Sequence, residues 1–561
     1  MSIDLVTSSD PRFATLNKSR NNGRFPETGE SVAQIALCST ADDVVQAVEQ
    51  AVKAGKRPTI MSGGHCYEGF VLNNPGGTLI NVKPMNGISQ DPVTKRWKIE
   101  AGSTVGEMYL GMYNQGKVTI PGPSCTTVGS GGQISGGGYG FLTRLYGIAP
   151  DWISAIDVVT VDAKGNAMLR HVDKKHDPDL LRALRGSGGG SYGVVTAFYS
   201  DNPPPAPQQV LSGRISFNWS EMTVERLHRI LFLYSNYFDT RGRDEDTWGL
   251  FTIMNMGPAN ALRGTGPNIG MSVMFTNPDG TVKDTKVLDE FFAMFDECKP
   301  VSEIAHHPNS PGAEHLPDPG GPGEIVCLAT HNVMQRTWID FSGANRVPGS
   351  FGGGGGQRPA GAAGAAPGAG GGQGQGGQRP AGAGGAAGAP SRFNRGPQRQ
   401  NYKSAYMRRP YTMEEARVFF NHLKDTDPHG GSTIAMDSFG GAASKKEMLE
   451  ETSDAHRSSI IKMQFNLSWT DAAEDQARID HMNKFYTDLF SASSDGKHAG
   501  TPYFNDRTEG CYINYCDVGM LKYDYWPQLY WGNGKLYPFL QHVKKKYDPN
   551  NIFHHAMSVR A

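Results

Sequence analysis

After Ser39-Thr40, the residues Val44, Val45, Val48, Ala51 and Val52 fall on one helical face, which predicts an amphipathic helix over 41–54 with a hydroxyl cap. Pro58-Thr59-Ile60-Met61, Leu79-Ile80-Asn81-Val82 and Trp97-Lys98-Ile99-Glu100-Ala101 are short β-rich runs, and 105–115 has helical spacing. Residues 156–162 predict a strand before the turn Ala163-Lys164-Gly165-Asn166, residues 180–184 a helix, and Val194-Val195-Thr196 a further strand.

The texture changes after Pro203-Pro204-Pro205. Strands are expected at 248–255, 271–276, 432–438 and 460–467, and helices at 283–295, 413–423 and 536–547. Strands and helices segregated in this way indicate an α+β fold, with an antiparallel sheet covered by helices. The expected division is 1–205, then 206–499, then a segment 500–561 returning to the first part.

Within the middle part, 351–390 is almost entirely Gly, Ala, Pro and Gln, with the run Gln-Arg-Pro-Ala-Gly-Ala occurring at 357 and again at 378. Such a composition buries too little apolar surface to offset its ordering entropy, so a disordered insertion is expected. Arg392, Arg395, Arg399, Arg408 and Arg409 behind it read as a solvated linker flank, with contact to RNA or an acidic partner as the other reading.

Composition narrows the function classes. With 54 Lys+Arg against 55 Asp+Glu, the net charge of −1 does not favour a polyanion, so nucleic acid is excluded as the main partner. No apolar run reaches the roughly 18 residues of a membrane span, and the first residues show no secretory signal, so a cytoplasmic location is expected unless the N-terminus is trimmed. Seven cysteines are too few and too scattered for a disulfide framework, and Cys511 and Cys516 stand too far from other ligands for zinc; no metal is expected.

The ordered-looking glycines lie in three loops, each close to a β-rich run: 62–69, 125–140 and 186–193. Glycine lets backbone N–H groups come close to an anion, and a pyrophosphate is the obvious candidate. The Rossmann fingerprint and its acidic residue are not set out properly.

In order, Ser62-Gly63-Gly64-His65-Cys66-Tyr67-Glu68-Gly69, the 125–140 loop, Gly188-Gly189-Gly190-Ser191-Tyr192-Gly193-Val194-Val195-Thr196, Tyr512-Ile513-Asn514-Tyr515 and the 544–553 tail resemble the berberine bridge enzyme-like oxidases. These are FAD-linked oxidases of the vanillyl-alcohol oxidase type, with a PCMH-type FAD-binding domain of two α/β subdomains. The resemblance implies a flavin tethered twice, through His65 to the 8α-methyl carbon and through Cys125 to C6. Imidazole and thiolate are both competent nucleophiles for such bonds. Ser62, Gly63, Gly64, Val128, Gly129, Gly132, Gly136, Tyr139, Gly190, Gly193, Val195 and Asn514 would complete the cofactor site. A hydrogen-bonded loop histidine and a small buried cysteine are the plain readings of the two linking residues.

For chemistry, the resemblance makes Tyr512 the base for the substrate hydroxyl, with Asn514 turned to the flavin. A tyrosine with a pKa near 10 needs a cation to act as base at neutral pH, and Lys462 is the candidate. Alternation along the strand puts Lys462 and Gln464 on one face, like the Lys-x-Gln pair of plant members that oxidise lignin alcohols. Tyr67 and Tyr139 match further tyrosines of those enzymes; packing is the alternative for both. Asp437 matches an aspartate that polarises the tyrosine in carbohydrate-oxidising members, and a surface aspartate before a turn is its other reading. Val128 holds the position that goes with oxygen use, which implies hydrogen peroxide as product. Gln133 stands where many relatives have histidine, and Met61 where a polar residue often precedes the loop.

The expected protein is therefore an FAD-dependent oxidase of an alcohol or hemiacetal carbon on a carbohydrate-type substrate, with O2 as acceptor and a monomeric state. Oxidation or oxidative cyclisation of an aromatic alcohol or secondary metabolite is the alternative. A non-catalytic flavin-binding protein that works through its Gly/Ala-rich segment is the alternative of another class.

Overall fold

The computed structural model describes residues 3–259, 269–301, 324–328, 331–345, 398–424, 432–494 and 496–561. The Gly/Ala-rich run 351–390 lies outside them, as do Arg392 and Arg395.

Three sheets organise the chain. The first has the order β1-β2-β4-β3, with β1 (Asp4–Thr7) antiparallel on the edge of the parallel strands β2 (Gln34–Leu37), β4 (Thr78–Asn81) and β3 (Pro58–Met61). The crossover helix Ala41–Lys53 starts at Thr40, whose side chain accepts from the Asp43 N–H in a capping box, and it buries Val44, Ala47, Val48 and Ala51. Val45 and Val52, expected on the same face, are half-buried.

The second sheet is antiparallel, in the order β5-β6-β9-β7-β8: β5 (Ile88–Gln90), β6 (Trp97–Glu100), β9 (Val194–Ser200), β7 (Ala155–Val161) and β8 (Ala167–Asp173). One expectation is corrected between these sheets. The glycine stretch 125–140 is not loop throughout, because Ser130–Ser135 forms a short helix in which Gln133, Ile134 and Ser135 are buried.

The third sheet has eight antiparallel strands in the order β13-β14-β10-β12-β11-β16-β17-β15. These are β10 (Gln209–Phe217), β11 (Leu250–Met256), β12 (Ile269–Phe275), β13 (Glu324–Cys327), β14 (Asn332–Thr337), β15 (Arg399–Met407), β16 (Ser432–Ser438) and β17 (Ile461–Trp469). Its pleat separates two environments. Met463, Phe465 and Leu467 are fully buried, and Phe465 meets Phe485 of the helix Asp475–Ser491 edge to face, so this side carries the helices. Lys462, Gln464 and Asn466 point the other way, beside Asp437 and Ala435 of β16.

The strands β1, β2, β5, β8, β10, β13, β14 and β15 and the long helices Val224–Asp239 and Asp475–Ser491 have no counterpart among the expected elements. The linker-flank reading is also corrected at its C-terminal end. Arg399 opens β15 and pairs with Asp475, Arg408 bonds through its backbone to Arg507, and Arg409 lies 3.7 Å from Asp239. No helix among the described residues is long and apolar enough to cross a membrane.

Candidate active site

A cavity of about 640 Å³ lies where the three glycine loops, the third sheet and the C-terminal segment meet. Ser62 leaves β3 and donates to the Ala101 carbonyl at 2.6 Å, which fixes the start of the first loop. Gly63 and Gly129 then bring two loops into backbone contact, since a Cβ on Gly63 would lie 2.3 Å from the Gly129 nitrogen. Gly64 and Gly190 have φ of +72° and +77°, the left-handed region that glycine enters without strain.

Beside Gly132 and Gly189, in contrast, a Cβ would meet nothing within 4 Å; both line the cavity. Gly136 does not. Its missing side chain makes room for Asn514, whose Oδ1 would be 2.0 Å from a Cβ there. Gly193 packs on the Val159 carbonyl, and Val195 and Val128 are half-buried in the wall.

His65 and Cys125 meet at this wall through Thr127. The Thr127 Oγ1 is 3.1 Å from the His65 Nε2 and 3.4 Å from the Cys125 Sγ. Burial, with Arg20 adding to it, pushes the His65 imidazole down to about 4, so at neutral pH its ring nitrogens include a free lone pair. Cys125 is exposed to the cavity.

The tyrosines form the opposite wall. Tyr139 donates its phenol proton to the Asp437 Oδ2 at 2.7 Å, and its oxygen lies 2.9 Å from the Tyr515 hydroxyl and beside the Lys462 Nζ. Lys462 is fully buried beneath the three rings, 3.5 Å from the Tyr515 centroid, 3.9 Å from that of Tyr139 and 5.0 Å from that of Tyr512. Burial drives Lys462 well below its usual range and Asp437 above its own, and their 3.9 Å separation works against both shifts. Burial likewise raises the phenols of Tyr139 and Tyr512 well above 10.

This geometry corrects the expected partnership. Lys462 contacts the Tyr139 hydroxyl rather than that of Tyr512, whose phenol accepts from Asn514 at 3.1 Å. Asn514 also donates to the Gly132 carbonyl, which ties the C-terminal motif to the second loop. Asp437 is buried, not surface-facing, because its strand is interior to the sheet. Gln464 donates to the Tyr67 hydroxyl at 2.8 Å, and Tyr67 stacks on Tyr402 at 3.5 Å.

Residues 32–167 match the FAD binding domain family and residues 511–560 the berberine and berberine like family. The chain is 30% identical over 580 residues to aclacinomycin-N/aclacinomycin-A oxidase of Streptomyces galilaeus, covering 99% of this chain and 89% of that protein. This chain belongs to the berberine bridge enzyme-like FAD-linked oxidases. As a berberine bridge enzyme-like protein it is an FAD-linked oxidoreductase with the PCMH-type FAD-binding fold.

Hexose oxidase of Chondrus crispus is 25% identical, over 98% of this chain and 93% of that one. Among solved structures, glycopeptide hexose oxidase DBV29 complexed with teicoplanin superposes with a TM-score of 0.76 and 25% identity, over 100% of this chain and 99% of that one.

The residues present fit the berberine bridge enzyme-like cofactor. The cavity is large enough for an extended dinucleotide, the glycines at 132 and 189 leave its floor open, and the N–H groups of Gly63, Gly64 and Gly190 bond to no backbone acceptor among the described residues. At the far end, His555 stacks on Phe70 at 4.4 Å and meets the Gly189 carbonyl at 3.2 Å.

Several lining residues went unassigned in the sequence. Asn466 continues the alternation of Lys462 and Gln464, so its place was readable from period two. Tyr515 is one turn beyond Tyr512 in the short helix Ile513–Tyr515. Asn255 and His555, which line the cavity, and Tyr402, which stacks on Tyr67, carry no local signal and only the fold brings them here, while Thr127 lies within the second glycine loop two residues after Cys125.

Proposed function

We propose that this oxidoreductase holds FAD through both His65 and Cys125 and oxidises an alcohol or hemiacetal carbon of a sugar-bearing substrate, with O2 as acceptor and hydrogen peroxide as product. The observation that carries this reading is the Tyr139 hydroxyl, held at once by Asp437, Lys462 and Tyr515 on the cavity wall. Bound in the cavity, FAD supplies a hydride acceptor and, once reduced, a two-electron donor to dioxygen.

The chain's residues supply the proton path. Tyr139 takes the proton of the substrate hydroxyl as it passes its own proton to Asp437, which burial makes more basic, so no free phenolate accumulates, and Lys462 and Tyr515 hold the Tyr139 oxygen in place. Gln464, Asn466 and Asn255 line the same cavity and give donors and acceptors for neighbouring hydroxyls. The names of the hexose oxidases support a sugar as substrate. Val128, half-buried in the wall, leaves dioxygen a path that a longer side chain would narrow.

A second reading, oxidation of an aromatic alcohol or secondary metabolite, rests on the Tyr67–Tyr402 stack and on Phe251 and Ile253 in the lining. Peroxide release and anaerobic bleaching near 450 nm on matched panels decide between them. Turnover of sugars and glycosides supports the first reading; turnover of aromatic alcohols alone replaces it.

A further inference from the structure

Cys66 and Cys516 take no part in the chemistry above, yet the fold brings them together. They are 450 positions apart in the sequence, and both line the cavity. Cys66 directly follows His65, and Cys516 directly follows Tyr515. The segments carrying them run side by side: the Tyr67 and Tyr515 rings are 5.2 Å apart, and the Val518 N–H donates to the Glu68 carboxyl at 3.2 Å. Between these contacts the two free thiols face each other across the cavity wall, with the Tyr67 N–H directed at the Cys516 sulfur.

We propose that Cys66 and Cys516 are a peroxide-responsive pair that closes to a disulfide in the cavity wall, locking the His65 loop to the segment that carries Tyr512, Asn514 and Tyr515. The oxidant is hydrogen peroxide, and its local source rests on the oxidase reading above.

The roles divide between the two sulfurs. The hydrogen bond from Cys516 holds Cys66 below the usual thiol range, and the same bond raises Cys516 well above it. Cys66, the sulfur whose deprotonated form that bond favours, loses its proton and attacks. Its sulfur bonds to one peroxide oxygen as the O–O bond breaks, and the departing hydroxide takes up a proton to give water. The Cys516 sulfur then attacks the sulfenic sulfur, the S–S bond forms, the S–O bond breaks, and the hydroxyl leaves with the Cys516 proton as a second water. Two thiols lose two electrons and one peroxide becomes two waters.

The other cysteines of known placement do not compete for this pairing. Cys38, Cys298 and Cys511 are buried and do not line the cavity, and Cys511 is engaged with the Tyr486 hydroxyl at 3.4 Å. Cys125 is the residue proposed to carry the flavin.

The test is peptide mapping of the full-length holoenzyme, alkylated under non-reducing conditions, in two arms. One arm receives reagent hydrogen peroxide; the other turns over a substrate found in the panels, with and without catalase. The expected result is a link between the tryptic peptide carrying Cys66, together with the flavin and Cys125 peptide that His65 would hold to it, and the peptide carrying Cys516, two hydrogens lighter than the sum of these parts when reduced. The link should survive Cys511→Ser and be lost in Cys66→Ser and Cys516→Ser.

Wild-type protein in which reagent peroxide leaves both cysteines alkylated, or stops at sulfinic Cys66 without a link, overturns the pair. That readout needs no variant to fold. A link with reagent peroxide but none during turnover supports the pair and counts against the oxidase reading. Peroxide released during turnover with no link in either arm leaves the oxidase reading standing and removes the pair.

Discussion

The Tyr139 phenol donates to the Asp437 carboxylate at 2.7 Å across 298 positions of sequence. One residue belongs to the second glycine loop and the other to an interior strand of the eight-stranded sheet, so the bond joins two walls of the cavity.

If Tyr139 is the base, Tyr139→Phe keeps the flavin colour and lowers the rate of flavin reduction by about 10²- to 10⁴-fold, the usual worth of general-base catalysis. Tyr512→Phe, which removes only the partner of Asn514, should lose much less. Stopped-flow reduction of both variants checks this, and the reverse ranking would return the role to Tyr512.

Asp437 must be ionised to accept the phenol proton. Burial raises it above the ordinary carboxylate value of 3.8, so kcat/KM should fall as pH drops through that raised value and recover above it. Asp437→Asn should lower the plateau and remove this acid limb. A full pH profile of both proteins is the measurement, and an unchanged limb in the variant would assign it to another group.

Acid-precipitated wild-type protein should stay yellow. His65→Ala and Cys125→Ser alone should each retain one link and stay coloured, while the double variant releases all flavin. Colourless wild-type precipitate sinks the covalent reading.

Gly63→Ala would place a Cβ 2.3 Å from the Gly129 nitrogen, backbone against backbone, with no flexible side chain able to yield. Overpacking of this kind costs about 1–3 kcal/mol. The variant should melt at a lower temperature and bind less flavin. Gly132→Ala faces open cavity and should leave the melting temperature nearly unchanged while reducing flavin content.

His555 is half-buried on the cavity wall, and desolvation pushes its imidazole from 6.5 down to about 4. The unfolded chain binds this proton more readily, so the stability His555 confers is present above pH 6.5 and is lost as pH falls through 4. Urea unfolding at pH 7 and pH 5 should show a smaller difference in His555→Gln than in wild type.

Local pattern was enough for much of the fold. The helix Ala41–Lys53 has its cap and apolar stripe written in consecutive residues, and β17 announces its two faces by alternation. The strand β15 was not readable, because it begins with polar residues directly behind the Gly/Ala-rich segment and is specified by pairing to β17. The short helix Ser130–Ser135 was hidden by glycines whose helical conformation is imposed by neighbours: Gly131 donates to the Ala101 carbonyl and Gly188 to that of Ser135.

By itself the sequence determined the glycine loops, the linking candidates His65 and Cys125 and the chemical inventory of the site, because each is a matter of residue type at short spacing. Only the tertiary structure decided that Lys462 contacts the Tyr139 hydroxyl rather than that of Tyr512, that Asp437 is buried, and that Cys66 lies beside Cys516. These relations depend on strand register and on loops converging from distant positions, and hydrogen bonds at 3 Å hold no trace of themselves in local periodicity.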